Sequence, residues 1–172
     1  MDTPTTATKI NGTAIANGIF KRITKEVEDK MSRNSRYKPC LAIVQVGNRS
    51  DSSAYVRMKL KAARGVNISC KLEKYDENVS ECELLENIEA LNRNLDVHAI
   101  LVQLPLPSHI DEYKVTSAIA NVKDVDGFGS ANIGELAKKG GKPLFIPCTP
   151  KGIMVLLEEA GVNLKGQNAV VL

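Results

Sequence analysis

Apolar residues recur at every fourth position near the start of the chain: Ile15, Ile19, Ile23, Val27 and Met31, with Phe20 beside them. One apolar stripe on an otherwise polar segment predicts a long amphipathic helix, which ends in the polar residues 32–38. The pattern then changes. Residues 40–47, CLAIVQVG, are a short apolar run closed by glycine and read as a buried strand. The polar loop NRSDSS leads into a helix over 53–63, with Val56, Leu60 and Ala63 on one face. Residues 68–75 alternate like a strand. Ser80 and Glu83 have capping-box spacing and open a helix carrying Leu84, Leu85, Ile88, Leu91 and Leu95. Residues 98–103 form the next buried strand, stopped by the prolines of LPLP. A helix near 111–120 leads to the turn KDVDGF, followed by a looser segment. Thr149 and Pro150 suit an N-cap and first helical position, and the helix 151–160 runs to Gly161, a good stop. Asn168-Ala169-Val170-Val171-Leu172 starts a further apolar strand, and the Thr-rich residues 1–8 are expected to be disordered.

Strands that alternate with helices predict an α/β fold: three layers, with a mostly parallel sheet flanked by helices. Residues 9–149 read as one domain. Residues 150–172 read as a linking helix and the first strand of a second unit.

Composition narrows the function classes. The 172 residues are 43% hydrophobic and 25% charged, ordinary for a globular protein. A net charge of +3 lacks the strongly basic face of a nucleic-acid binder. No apolar run approaches the roughly 20 residues that cross a bilayer. The first ten residues hold an acid, no arginine and no apolar core, so neither a secretory leader nor a mitochondrial transit peptide is expected, and the cytoplasm is the expected compartment. Cys40, Cys70, Cys82 and Cys148 are widely spaced and accompanied by two histidines. That argues against a zinc site and for reduced, mostly buried thiols.

Four places could carry chemistry. Tyr55 and Lys59, four residues apart, share a helix face distinct from that of Val56, Leu60 and Ala63. An aromatic ring beside an amine suits a flat heterocycle that needs a proton donor at its edge, and a lysine in a partly dry site can exchange protons near neutral pH. Gln103 stands at the carboxyl end of an apolar run, where open α/β sheets bind ligands. Asp124 and Asp126 flank Val125 in a glycine-containing turn, able to bind a cation or the amine edge of a ring. Cys148 and Thr149 stand at a helix start. Each has a plain counterpart: a solvated Tyr/Lys pair, the first exposed residue after a strand, ordinary Asp–Gly turn chemistry, a helix cap. Phosphate-loop, zinc-protease, serine-hydrolase and dinucleotide fingerprints are absent from the sequence.

Taken together, Tyr55-Val56-Arg57-Met58-Lys59 as Y-V-x-x-K, VQLPLP at 102–107, KDVDGF at 123–128 and IPCTPKG at 146–152 resemble, in order and spacing, the bifunctional methylenetetrahydrofolate dehydrogenase/methenyltetrahydrofolate cyclohydrolase family. The likeness covers roughly residues 9–172, and the wording GFG-x-x-NIGEL is most similar to fungal members, where this part fronts a trifunctional C-one-tetrahydrofolate synthase. The resemblance implies a reduced-folate substrate in one-carbon metabolism. It implies Lys59 as general acid/base, Tyr55 stacking on the folate, Gln103 bonded to Lys59, and Asp126 accepting from the amino edge of the pterin. Tyr55 through Lys59, with Val102 and Leu104, would line the folate slot. Asp124 would support the turn, and Cys148 and Thr149 would lie near an interdomain cleft. NADP or NAD would serve the family's hydride step. The family's glycine-rich turn for the dinucleotide phosphates has no counterpart in these residues, so no cofactor binding and no dehydrogenase turnover are expected of this chain alone, with the hydrolytic step weakened. Relatives of this kind are typically homodimers. Two other readings stay open: a non-catalytic folate-binding or dimerisation module of the same family, and a generic flavodoxin-like domain whose motifs coincide.

Overall fold

The computed structural model describes residues 9–170. Six helices and three strands follow in the order α1 (Gly12–Arg33), β1 (Cys40–Val46), α2 (Ser50–Gly65), β2 (Ser69–Tyr75), α3 (Glu81–Arg93), β3 (Ala99–Val102), α4 (Glu112–Ser117), α5 (Ser130–Ala137) and α6 (Cys148–Glu159). The strands form one parallel sheet in the order β2-β1-β3. Cys40 pairs with Ser69 at one end and Val46 with Tyr75 at the other, while Leu41 to Val44 pair with Ala99 to Val102.

Alternation along the central strand sends side chains to both faces. Ala42, Val44 and Val46 join Ile100 and Val102 beneath Leu84, Ile88 and Leu91 of α3 and Val115 of α4. Ile43 and Leu101 point the other way, onto Val56 and Leu60 of α2. Helices therefore cover both faces, as the strand–helix alternation predicts.

Local chemistry sets the ends. Asn11 caps α1 by accepting from the Ala14 amide, and Ser80 caps α3 by accepting from Glu83. Beyond α2, Asn67 takes a left-handed φ of 61°, a conformation in which asparagine is among the least penalised side chains.

Several expectations need correction. Helix α1 buries only Val27 of its stripe; Ile15, Ile19 and Ile23 are half-buried and Met31 is exposed. Helix α6 begins at Cys148 with Pro147 as its cap, so Thr149 and Pro150 already lie in the first turn, where the missing proline N–H removes no intrahelical bond. The segment after the KDVDGF turn is not wholly loose, because α5 forms within it. Residues 168–170 are exposed and in no strand; none of the three strands runs alongside to supply ladder hydrogen bonds. Residues 1–8 and 171–172 lie outside the described residues. Cys40 is buried and Cys70 half-buried, but Cys82 and Cys148, each in the first turn of a helix, are exposed; all four thiols are free.

Candidate active site

The site grows from the helix period. Successive residues of a helix turn by about 100°, so Lys59 lies about 40° from Tyr55, and the core-facing Val56 lies on the far side of Lys59 from Tyr55. Tyr55 is consequently 61% exposed and Val56 2%, with Lys59 half-buried between them. That intermediate position lets the lysine reach across the sheet edge, where its Nζ donates to Gln103 Oε1 at 3.1 Å. The Gln103 side chain is fixed in turn: its Nε2 donates to the Leu104 carbonyl at 2.7 Å, and its backbone N–H donates to Val44 at 2.8 Å. The Leu104–Pro105 peptide is cis.

The KDVDGF turn is stitched to the same strand. The Ile100 N–H donates to the Lys123 carbonyl at 2.8 Å, and Asp124 bridges to Ile100 as a single parallel partner. Asp124 is 1% exposed. Its carboxylate accepts from the backbone N–H groups of Gly127 (3.1 Å) and Gly129 (2.7 Å) and from Asn132 Nδ2 (3.2 Å). It holds the turn's shape, as expected of it. Gly127 sits at φ +69°, and a Cβ there would stand 2.9 Å from the Phe145 carbonyl, so both conformation and space call for glycine.

Asp126, half-buried, stands on this turn. Burial, the largest influence, raises its carboxyl above the usual range; the Lys59 ammonium opposes this and Asp124 reinforces it. The Cys148 thiol, exposed at the start of α6, is raised by partial desolvation and by Asp126, with Lys59 and Lys151 acting the other way. Lys59, Gln103, Asp126 and Cys148, from four separate segments, thus share one electrostatic neighbourhood, with the Tyr55 ring open to solvent beside it. Lys59 to Gln103 spans 44 residues, a proximity no spacing rule could provide.

Other predicted residues fall elsewhere. Val102 is 4% exposed and packs on the α3 face, while Val56 packs on the α2 face. Both side chains are built into the core. Leu104, half-buried, leans on the same α3-side cluster. Met58, one turn from Tyr55, is 67% exposed; Arg57 is exposed on the opposite side of α2. Thr149 is exposed in the first turn of α6. Two open grooves along α1, one lined by Phe20, Thr24 and Gly65 and one by Ile15, Ile19 and Glu159, contain none of these residues.

Sequence reasoning missed three supports. Gln45, 2% exposed, donates to Ser53 Oγ at 2.9 Å and steadies the entry to α2. Lys123 Nζ donates to the carbonyls of Leu91, Asn92 and Asn94 at 2.7–3.0 Å, anchoring the turn to the end of α3. Asn132, 3% exposed, bonds Asp124 from one end of its amide and Leu144 and Phe145 from the other. A polar residue inside an otherwise apolar run, as at Gln45, is the one signal that was available.

The glycine that follows β1, Gly47, faces the exposed Glu77, whose Cβ lies 3.7 Å from a Cβ placed there. Among the described residues no group of three or more His, Cys, Asp and Glu side chains could hold a metal ion, and no helix is long and apolar enough to cross a membrane.

Known proteins bear directly on this arrangement. The family model for "Tetrahydrofolate dehydrogenase/cyclohydrolase, catalytic domain" matches residues 10–126. The mitochondrial C-1-tetrahydrofolate synthase of Saccharomyces cerevisiae is 51% identical over 163 residues, which is 95% of this chain and 17% of that protein. Bifunctional protein FolD 2 of Arabidopsis thaliana is 50% identical over 97% of this chain and 56% of its own length. Among solved structures, the Trypanosoma brucei methylenetetrahydrofolate dehydrogenase-cyclohydrolase, complexed with NADP cofactor and inhibitor, superposes with a TM-score of 0.90 at 36% identity, covering 94% of this chain and 54% of that one. The chain therefore spans about half the length of the bifunctional relatives and far less of the synthases. A cytoplasmic yeast synthase also matches, at 47% identity, so the likeness selects neither compartment.

Proposed function

The chain belongs to the tetrahydrofolate dehydrogenase/cyclohydrolase family, and we propose that it forms the folate-binding, proton-transferring half of that family's catalytic machinery. The observation that carries this reading is the Lys59–Gln103 hydrogen bond beside Asp126 and Tyr55. A reduced pterin stacks on the exposed Tyr55 ring, where an aromatic face contributes about 1 kcal/mol beyond its area. The Asp126 carboxylate accepts from the pterin's amino edge and sets its rotation. The one-carbon bridge then lies at Lys59.

The hydrolytic step follows from those residues. Water adds to the methenyl carbon of the cationic substrate, and a proton leaves the attacking water for the Lys59 amine. The carbon–nitrogen bond breaks as that proton passes to the departing ring nitrogen, the remaining hydroxyl proton leaves to bulk solvent as the carbonyl forms, and the formyl group stays on the other nitrogen. Gln103 holds the lysine on the line of transfer, and positioning of this kind is worth several kcal/mol. In the family's preceding oxidation NADP or NAD would supply the hydride acceptor. The residues here would bind and orient the folate for that step. We further propose a homodimer in the cytoplasm, as the working form.

Equilibrium titration with a reduced folate tests the reading. Micromolar binding to the parent chain, lost by tenfold or more in both Tyr55→Ala and Asp126→Asn, is expected. Equal affinities in parent and variants would contradict it. Binding without any turnover would favour the second reading, a folate-binding module of this family.

A further inference from the structure

The site's two outer walls come from segments that share no secondary structure. Asp126 stands on the turn at 124–129, and Cys148 opens α6 after the stretch 144–147. One buried side chain joins them. Asn132 of α5 donates from Nδ2 to Asp124 Oδ2 at 3.2 Å, and its Oδ1 accepts from the backbone N–H groups of Leu144 at 3.0 Å and Phe145 at 3.2 Å. The same Asp124 oxygen accepts from Gly129 N–H at 2.7 Å. The Phe145 carbonyl presses so closely on Gly127 that no Cβ would fit between them.

This pattern needs an amide of asparagine's length. Its donor end satisfies a carboxylate and its acceptor end satisfies two backbone donors. Aspartate would set a second carboxylate against Asp124, and a hydrocarbon would cost the Asp124 oxygen one of its two donors and leave the Leu144 and Phe145 amides without this acceptor, a costly arrangement. Nothing in the pterin chemistry described above requires contact with Asn132, which is 3% exposed.

We propose that Asn132 is a positioning residue for the folate site, locking the Asp126 turn and the approach to Cys148 into one rigid wall facing Lys59. This rests on the folate reading for its purpose, but its physical content, the rigidity of the Asp126 turn, is measurable without ligand. Lys59 of α2, Asp124 of the same turn and Cys148 of α6 are the charged or titratable groups that bear on Asp126.

The test follows the Asp126 carboxyl carbon by NMR through a pH titration, in the 172-residue chain and in Asn132→Ala. If Asn132 holds the turn closed, its loss lets water reach Asp126, whose titration falls back towards the ordinary carboxylate range, and affinity for methenyltetrahydrofolate drops at least tenfold. Asn132→Asp keeps the volume and the acceptor end. It should match the parent at acid pH, where it can share a proton with Asp124, and behave like Asn132→Ala once both carboxylates ionise; this second variant decides the matter if Asn132→Ala does not fold. An Asp126 titration unchanged in the variants overturns the proposal. A parent chain that binds no folate would refute the folate reading, while the Asp126 titration would still decide the role of Asn132.

Discussion

Asp126 is costly to keep charged, and the cost has a definite sign. Burial raises its carboxyl in the folded chain above the value it has unfolded. Over the interval between the two values the folded state holds the proton more tightly, so this residue's contribution to stability declines as pH rises through that interval. Asp126→Asn removes the cost. Its melting temperature at pH 7 is expected to equal or exceed the parent's, with the difference vanishing below the unfolded carboxylate value. Folate affinity should move oppositely: lost in the variant at neutral pH, and lost in the parent as acidification protonates Asp126, at a higher pH than for an ordinary carboxylate. Calorimetric melting and ligand titration across the same pH series check both. A variant that melts lower at pH 7 would show that Asp126 is there for stability rather than for ligand.

At the scale of elements, the site depends on how the KDVDGF turn is tied to α3. Lys123 places its ammonium on three carbonyls at the end of that helix, where helix carbonyls lack internal partners and the dipole favours a cation. Lys123→Met should cost about 1.5–3 kcal/mol, the range for hydrogen bonds to a charged group, measured by urea unfolding, and should speed amide exchange in the last turn of α3. Elements of this kind differ in how far the sequence discloses them. Strands β1 and β3 were plain because buried parallel strands read as unbroken apolar runs, and α3 because its cap and stripe are local. Helix α5 escaped notice because SANIGELA has a glycine at its centre and is held by Asn132 bonds to residues 8–13 positions away. Helix α4 came out shorter than the 111–120 expected, since after Ser117 the chain turns to let the carbonyl of Ala118 and the N–H of Ala120 meet Asn92. The candidate residues stood out as types: Tyr55 and Lys59 by their helical spacing, Gln103 by its place at the end of an apolar run, and Asp126 by its glycine-containing turn. Spacing alone could not pair Lys59 with Gln103, which tertiary packing brings together; only the resemblance implied that bond.

Across the whole molecule, a two-sided core is joined to a region that buries little. Leu84 is fully buried under the sheet, and Leu84→Ala should destabilise by about 2–5 kcal/mol. Helix α6 has no fully buried residue. Ile153 and Met154 are each about half exposed, and replacing both by lysine should change stability by no more than about 0.5 kcal/mol each, as surface changes do, while lowering any self-association seen by sedimentation. The side chains proposed as catalytic lie between these extremes: Lys59, Gln103 and Asp126 are half-buried and Tyr55 is exposed. The most direct measurement is hydrolysis of methenyltetrahydrofolate by the purified chain, followed by the fall of its near-ultraviolet absorbance, with Lys59→Met alongside. Turnover above the buffer rate that disappears in Lys59→Met is the expected result. Equal rates in the parent and in Lys59→Met, both chains being folded, would contradict the assignment of Lys59 as the proton-transferring group.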